Sequence, residues 1–233
     1  MKPERIILLR HGESEGNVDK NVYSQKPDYS INLTENGKEQ AKRVGKELLD
    51  TCGSFDQFAV YYSPFFRAIQ TLNMIGTARD EIYNPPFNKK WIMEDSRIRE
   101  QEWHGKIPTS GYDETAELER EAYGHFYYRF AGGESAADTY DRVSDFMETL
   151  HRDFRKEDYP KNCLIITHGM TLRVFVMRWF HITVKEFESW ANPENCKPVI
   201  LEKQSNDKYK LITPFKTHEP RHNYKCSLDI NTE

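Results

Sequence analysis

The 233-residue chain is long enough to bury a sizeable core, and with 37% hydrophobic and 30% charged residues it reads as a globular protein with a polar surface rather than a disordered one. Its formal net charge of -4 argues against a general binder of nucleic acid or anionic membranes, and no apolar stretch reaches membrane-spanning length. The four cysteines (Cys52, Cys163, Cys196, Cys226) lack a CxxC pair or ligand-like spacing, so we expect reduced thiols, no metal, and a cytoplasmic protein whose start, Met1 to Arg5, leads straight into a strand.

In chain order, Ile6-Ile7-Leu8-Leu9 reads as a central parallel strand, apolar on both faces, and delivers Arg10-His11-Gly12-Glu13 at its end. Residues 14 to 32, with Gly16, Asn17, Pro27 and Asn32, have no sustained period and read as a loop over that end. Thr34 is an N-cap for a helix over about 35 to 51, with Ala41, Val44, Leu48 and Leu49 on one face and Gly53 as its stop. Phe58 to Tyr62 is the second strand. Ser63-Pro64 then reads as a helix opening that places Arg67 in the first turn, where the helix dipole already favours an anion.

Residues 76 to 99 contain Pro85-Pro86 and a short strand over Lys89 to Met93, and Arg97 to Trp103 is a charged loop near the crevice. A helix over Glu114 to Tyr123 leads into the aromatic run Tyr123 to Phe130, read as core packing. Ser135 with Asp138 forms a capping box for a helix whose apolar stripe is Val143, Met147, Leu150 and Phe154. Cys163 to Thr167 is the third strong strand and ends in His168-Gly169, echoing the first. A helix from about Thr171 to Phe180 follows, then a short one capped by Thr183, and Val199 to Lys203 pairs with Lys208 to Thr213 as an edge hairpin. The chain thus divides into one domain, 1–213, and a polar, loosely held tail, 214–233.

Residues just past the carboxyl ends of parallel strands line the crevice where open α/β sheets bind ligands, so His11 and His168 are expected to meet there. The combination Leu9-Arg10-His11-Gly12-Glu13-Ser14 with Asn17, Ser63-Pro64-Phe65-Phe66-Arg67 with Thr71, Glu100, Gly133-Glu134-Ser135 and Thr167-His168-Gly169 resembles the histidine phosphatase superfamily over roughly residues 5 to 180. Within it the chain looks most like the broad-range acid phosphatase subgroup. The resemblance implies a three-layer α/β/α sandwich with a mixed, mostly parallel sheet of about six strands.

It also implies hydrolysis of small phosphomonoesters through a phosphohistidine, without a cofactor. A neutral imidazole meets a phosphate dianion without the repulsion a carboxylate would suffer, so His11 is the expected nucleophile, and Arg10 and Arg67 offer planar donor forks. His168 is expected to be protonated and to donate to the phosphoryl oxygens, and Asn17 to contact the same group. Glu100, as a carboxyl of raised pKa, is assigned the acid and base steps. His104 stands where the family carries a glycine after that glutamate, which leaves Glu102 as a rival. Lys20, Lys26, Lys106, Arg120 and Arg129, in the two crevice loops, are candidates for a second anionic group on the substrate. Roughly thirty residues separate Glu100 from Gly133, too few for the insertion with which the family's mutases shield the intermediate, so hydrolysis is preferred over mutase activity. A third reading is an inactive binding module of the same fold.

Overall fold

The computed structural model describes residues 2–78, 87–103 and 114–218. One six-stranded sheet organises them, in the order β3-β2-β4-β1-β5-β6. β1 (Arg5–Arg10) and β2 (Phe58–Tyr62) both run parallel to β4 (Asn162–Thr167), and β3 (Ile92–Glu94) runs parallel to β2. β5 (Pro198–Lys203) turns antiparallel against β1, and β6 (Tyr209–Leu211) completes the predicted edge hairpin. The sheet is mixed and mostly parallel, as expected.

Side-chain alternation along β1 explains the layers. Ile7 and Leu9 point to the face covered by α3 (Glu35–Cys52) and α4 (Phe66–Gly76), where they meet Val44, Leu48 and Ile75. Ile6 and Leu8 point to the other face, with Val143, Phe146 and Leu150 of α6 (Ala136–Asp153) and Leu172 and Phe175 of α7 (Gly169–Phe180). All four residues of this run are fully buried, which is why the strand is apolar on both faces. The caps follow the sequence reading: Thr34 Oγ1 accepts from Gly37 N, Ser135 and Asp138 form the capping box, Thr183 caps α8 (Val184–Glu188), and Gly53 ends α3 with φ 81°; α5 (Glu114–Tyr123) is the helix expected over those residues.

Four expectations are corrected. Residues 14 to 32 fold into α1 (Glu15–Val18), α2 (Val22–Gln25) and a 3-10 turn, Asp28–Ser30, because a chain of local backbone bonds from Asn17 to Ile31 replaces the missing apolar period. Ser63 is not the cap of α4. That helix starts at Phe66 after Phe65, and the Ser63 hydroxyl is engaged by His168. The aromatic run is core only in part, since Phe126 and Phe130 are buried whereas Tyr123 and Tyr127 are exposed. The first tail residues are docked: Phe215 stacks on Trp190 at 4.6 Å between ring centroids, and backbone bonds join Ala191 to Lys216 and His218 to Ser189. Residues 219–233, Cys226, Pro85, Pro86, His104 and Lys106 lie outside the described residues. Cys52, Cys163 and Cys196 are free thiols.

The turn after β1 depends on close backbone approach. A Cβ on Gly37 would stand 2.0 Å from the Glu13 carbonyl oxygen, and one on Gly12 would stand 2.5 Å from the Gly37 carbonyl oxygen. The α3 N-terminus therefore presses directly on the loop that carries His11. Gly37→Ala is expected to destabilise the protein by at least about 2 kcal/mol in denaturant unfolding, because backbone must move to relieve the overlap; a change below measurement error would contradict this packing.

Candidate active site

The parallel alignment of β1, β2 and β4 brings three chain segments together at the carboxyl ends of these central strands. Just beyond it, His11 N donates to Thr167 O at 2.9 Å and Ser63 N donates to Ile166 O at 3.0 Å, so the ladder holds His11, Ser63 and His168 side by side. The two imidazole rings are 5.1 Å apart between centroids, and both residues are buried.

His11 Nδ1 lies 2.7 Å from Gly12 O, and a carbonyl only accepts, so Nδ1 carries the hydrogen. Nε2 is therefore the lone-pair nitrogen, and it accepts from Arg67 Nε at 3.2 Å. Arg67 is itself fixed by Asp28, whose carbonyl and Oδ1 accept from Nη1 at 2.7 and 2.8 Å. Burial, then the charges of Arg67 and Arg10, hold the His11 imidazole well below its usual range; the Gly12 hydrogen bond opposes them.

His168 Nε2 lies 2.7 Å from Ser63 Oγ, whereas its Nδ1 is buried without a hydrogen-bond partner. Burial, followed by Arg67, His11, Arg142 and Arg10, also pushes this imidazole well below its usual range. The expectation of a protonated His168 is thus corrected for the free protein: burial, then Arg67, His11, Arg142 and Arg10, disfavour a charge on this ring.

Arg10 donates through Nη1 to Pro193 O at 2.9 Å, and its Nε is buried without a partner. Burial lowers its pKa, and Glu100 and Tyr23 act in the opposite direction, which places both near the guanidinium. Asn17 Oδ1 accepts from Ser14 N and from Asn195 Nδ2, and Asn195 also donates to His11 O at 2.8 Å. Asn17 is therefore tied to the histidine turn.

Glu100 sits at the N-terminus of α7, where Oε1 accepts from Gln101 N at 3.0 Å and Thr171 N at 3.3 Å, and Oε2 from Met170 N at 3.4 Å. Its segment is clamped from outside. Arg142 donates to the carbonyls of Arg97, Arg99 and Glu100, and its other bonds go to Glu134 and Thr139. Glu134 also binds Arg99 and Glu102 N. Glu102 is held by its backbone N–H, which donates to Glu134 Oε2, whereas the Glu100 carboxyl acts on the Arg10 guanidinium.

Among the candidate second-anion contacts in the described residues, Lys20 is near enough to Arg10 and Arg67 to feel their charges. Its Nζ donates to Gly16 O, and after burial the charges of Arg10 and Arg67 depress its pKa. Lys26 pairs with Glu15, and Arg129 with Asp138. Arg120 lines a cavity of about 400 Å³ that begins at Glu100 and continues past Arg173, Glu188 and Asn192. Sequence reasoning missed Asp28, Tyr23, Arg142, Arg173 and Glu188. Tyr23 packs where a Cβ on Gly16 would be 2.6 Å from its ring, and burial pushes its phenol up to about 12. Among the described residues no three His, Cys, Asp or Glu side chains are grouped as a metal would require, and no helix is long and apolar enough to cross a membrane.

The profile of the histidine phosphatase superfamily (branch 1) matches residues 6–212. Phosphoglycerate mutase-like protein AT74H of Arabidopsis thaliana is 40% identical over 90% of this chain and 77% of its own length. Broad-range acid phosphatase DET1 of Saccharomyces cerevisiae is 30% identical over 91% of this chain and 89% of its own. Among solved structures, a putative α-ribazole-5'-P phosphatase from Escherichia coli superimposes with TM-score 0.69 at 17% identity, covering 92% of this chain and 97% of that one, a likeness of fold. With two histidines and two arginines at the carboxyl ends of the central strands and the family profile spanning most of the sequence, the chain belongs to branch 1 of the histidine phosphatase superfamily and is an enzyme of that family.

Proposed function

We propose that the protein hydrolyses small phosphomonoesters through a phosphohistidine formed on His11. The observation that carries this reading is the His11 tautomer: with Nδ1–H donating to Gly12 O, the Nε2 lone pair is directed to the arginines, where a phosphoryl group is attracted. An incoming phosphate displaces Arg67 Nε from that lone pair and takes its hydrogen bond. Nε2 then attacks phosphorus, the P–O ester bond breaks, and the leaving oxygen takes a proton from Glu100. In the second step Glu100 removes a proton from water, the resulting oxygen attacks phosphorus, and the P–N bond breaks to restore neutral His11. Arg10 Nε, buried without a partner, supplies a donor to the phosphoryl oxygens, and Asn17, tied to the histidine turn, another.

Ser63 acts as a positioning residue for His168. If its hydroxyl accepted from Nε2–H, a buried O–H and a buried Nδ1 lone pair would both lack partners. If it donates to Nε2, the hydrogen sits on Nδ1, and a neutral ring can present it to the anion. A neutral His168 therefore serves where the sequence argument required an imidazolium. The similarity to the broad-range acid phosphatase supports hydrolysis, and the cavity beside Glu100 leaves room for the attacking water.

The purified protein is expected to hydrolyse p-nitrophenyl phosphate, with negligible conversion of 3-phosphoglycerate in the presence of 2,3-bisphosphoglycerate. His11→Ala should abolish hydrolysis, and Glu100→Gln should lower kcat/KM about a hundredfold or more while Glu102→Gln changes it little. Fast mutase turnover, or loss of activity only in the Glu102 variant, contradicts the assignment. Long-range proton–nitrogen correlation spectra should find His168 as the neutral Nδ1–H tautomer, and Ser63→Ala should weaken vanadate binding about tenfold; an Nε2–H tautomer or unchanged affinity overturns the positioning role.

The depressed histidine pKa values also set a stability profile. Below the ordinary histidine value of 6.5 the unfolded chain takes up protons that the folded one refuses, so stability falls as the pH is lowered through that value. Thermal unfolding without phosphate should register this loss, and His168→Gln should flatten the slope. A flat wild-type profile on the acid side would contradict two neutral buried rings.

A further inference from the structure

The cavity that begins at Glu100 carries information on the alcohol that leaves. Its volume of about 400 Å³ lies in the range of small-ligand sites and exceeds what a phosphoryl group needs. Two guanidinium groups stand in its wall, both stacked on rings. Arg120 lies 5.5 Å from the Trp103 centroid and 5.6 Å from that of Phe130, and Arg173 lies 5.1 Å from Phe187 while donating to Trp190 O at 2.7 Å. Two carboxyl groups face them. Glu100 is the first, and Glu188, at 7% exposure, is the second. Glu188 Oε1 accepts from Phe126 N at 2.9 Å, whereas Oε2 is buried with no hydrogen-bond partner.

We propose, resting on the phosphatase reading above, that this cavity receives a neutral, polyhydroxylated leaving group, so that the preferred substrates are monophosphates of sugars or sugar alcohols. The wall carries both signs of charge, so a charged leaving group of either sign meets a like charge as well as an opposite one, and an alkyl chain would leave Glu188 Oε2 buried and unpaired. A hydroxyl satisfies both kinds of wall, because it donates to the carboxylate and accepts from a guanidinium N–H.

The test reads binding without turnover. His11→Ala protein is titrated calorimetrically with glucose 6-phosphate, n-hexyl phosphate, 3-phosphoglycerate and O-phosphoethanolamine. Glucose 6-phosphate is expected to bind about tenfold or more tightly than each of the others. Adding Glu188→Gln, which keeps the side chain's length and the acceptor for Phe126 N, should reduce the advantage over n-hexyl phosphate to about twofold or less. Equal or tighter binding of any comparison ligand, binding of none, or an undiminished advantage in the Glu188 variant overturns the inference. Wild-type turnover of p-nitrophenyl phosphate is measured beside it: selective polyol binding without turnover sinks the phosphatase reading and leaves this subsite standing, whereas turnover without selectivity does the reverse.

Discussion

The site rests on one buried imidazole that is kept uncharged. His11 gives its Nδ1 hydrogen to Gly12 O and offers Nε2 to Arg67, whose own orientation is fixed by two bonds to Asp28. A protonated ring there would lose the Arg67 hydrogen bond and place like charges in contact inside the protein, where solvent does not screen them. The same arginines that keep the nitrogen unprotonated and its lone pair available are those that attract a phosphate. Attraction of the anion and suppression of the proton therefore have a single electrostatic cause.

The remainder of the fold supplies rigidity around that ring. Parallel strands bring the two histidines together across 157 positions of sequence through backbone bonds past their carboxyl ends, and the Gly12–Gly37 contact leaves the loop no room to shift. On the far side, Glu100 is positioned by backbone N–H groups at the start of α7, while Arg142 and Glu134 bind its segment to α6. The carboxyl is thus carried on a loop yet held by two helices, as the acid and base steps proposed for it would require.

Much of this was legible in the amino-acid order, for definite reasons. Ile6 to Leu9 and Leu164 to Ile166 are apolar on both faces, so they announced central parallel strands, and whatever followed them had to stand at the crevice. Thr34, Ser135 and Thr183 announced helices because their caps are local, within three residues. Ser63 was misread for the same reason: its sequence context suggests a cap, but its partner is His168, 105 positions away. Asp28, Arg142 and Glu188 were invisible, since each acts on a group from another element and no short pattern encodes that meeting. His168 was assigned a charge that burial and the neighbouring arginines disfavour in the free protein, and both are tertiary facts. The basic residues of 18 to 32 and 104 to 131 could not be sorted from sequence: Lys20 feels Arg10 and Arg67 and Arg120 lines the cavity, whereas Lys26 and Arg129 are taken up by surface ion pairs.

A crystal structure of the protein with vanadate tests the central claim most directly. The account predicts vanadium bonded to Nε2 of His11, with Arg10, Arg67 and the Nδ1–H of His168 on its equatorial oxygens and Glu100 beside the apical oxygen opposite His11. Vanadate bound away from His11, or held there with Nδ1 of His168 turned from the anion, would contradict it.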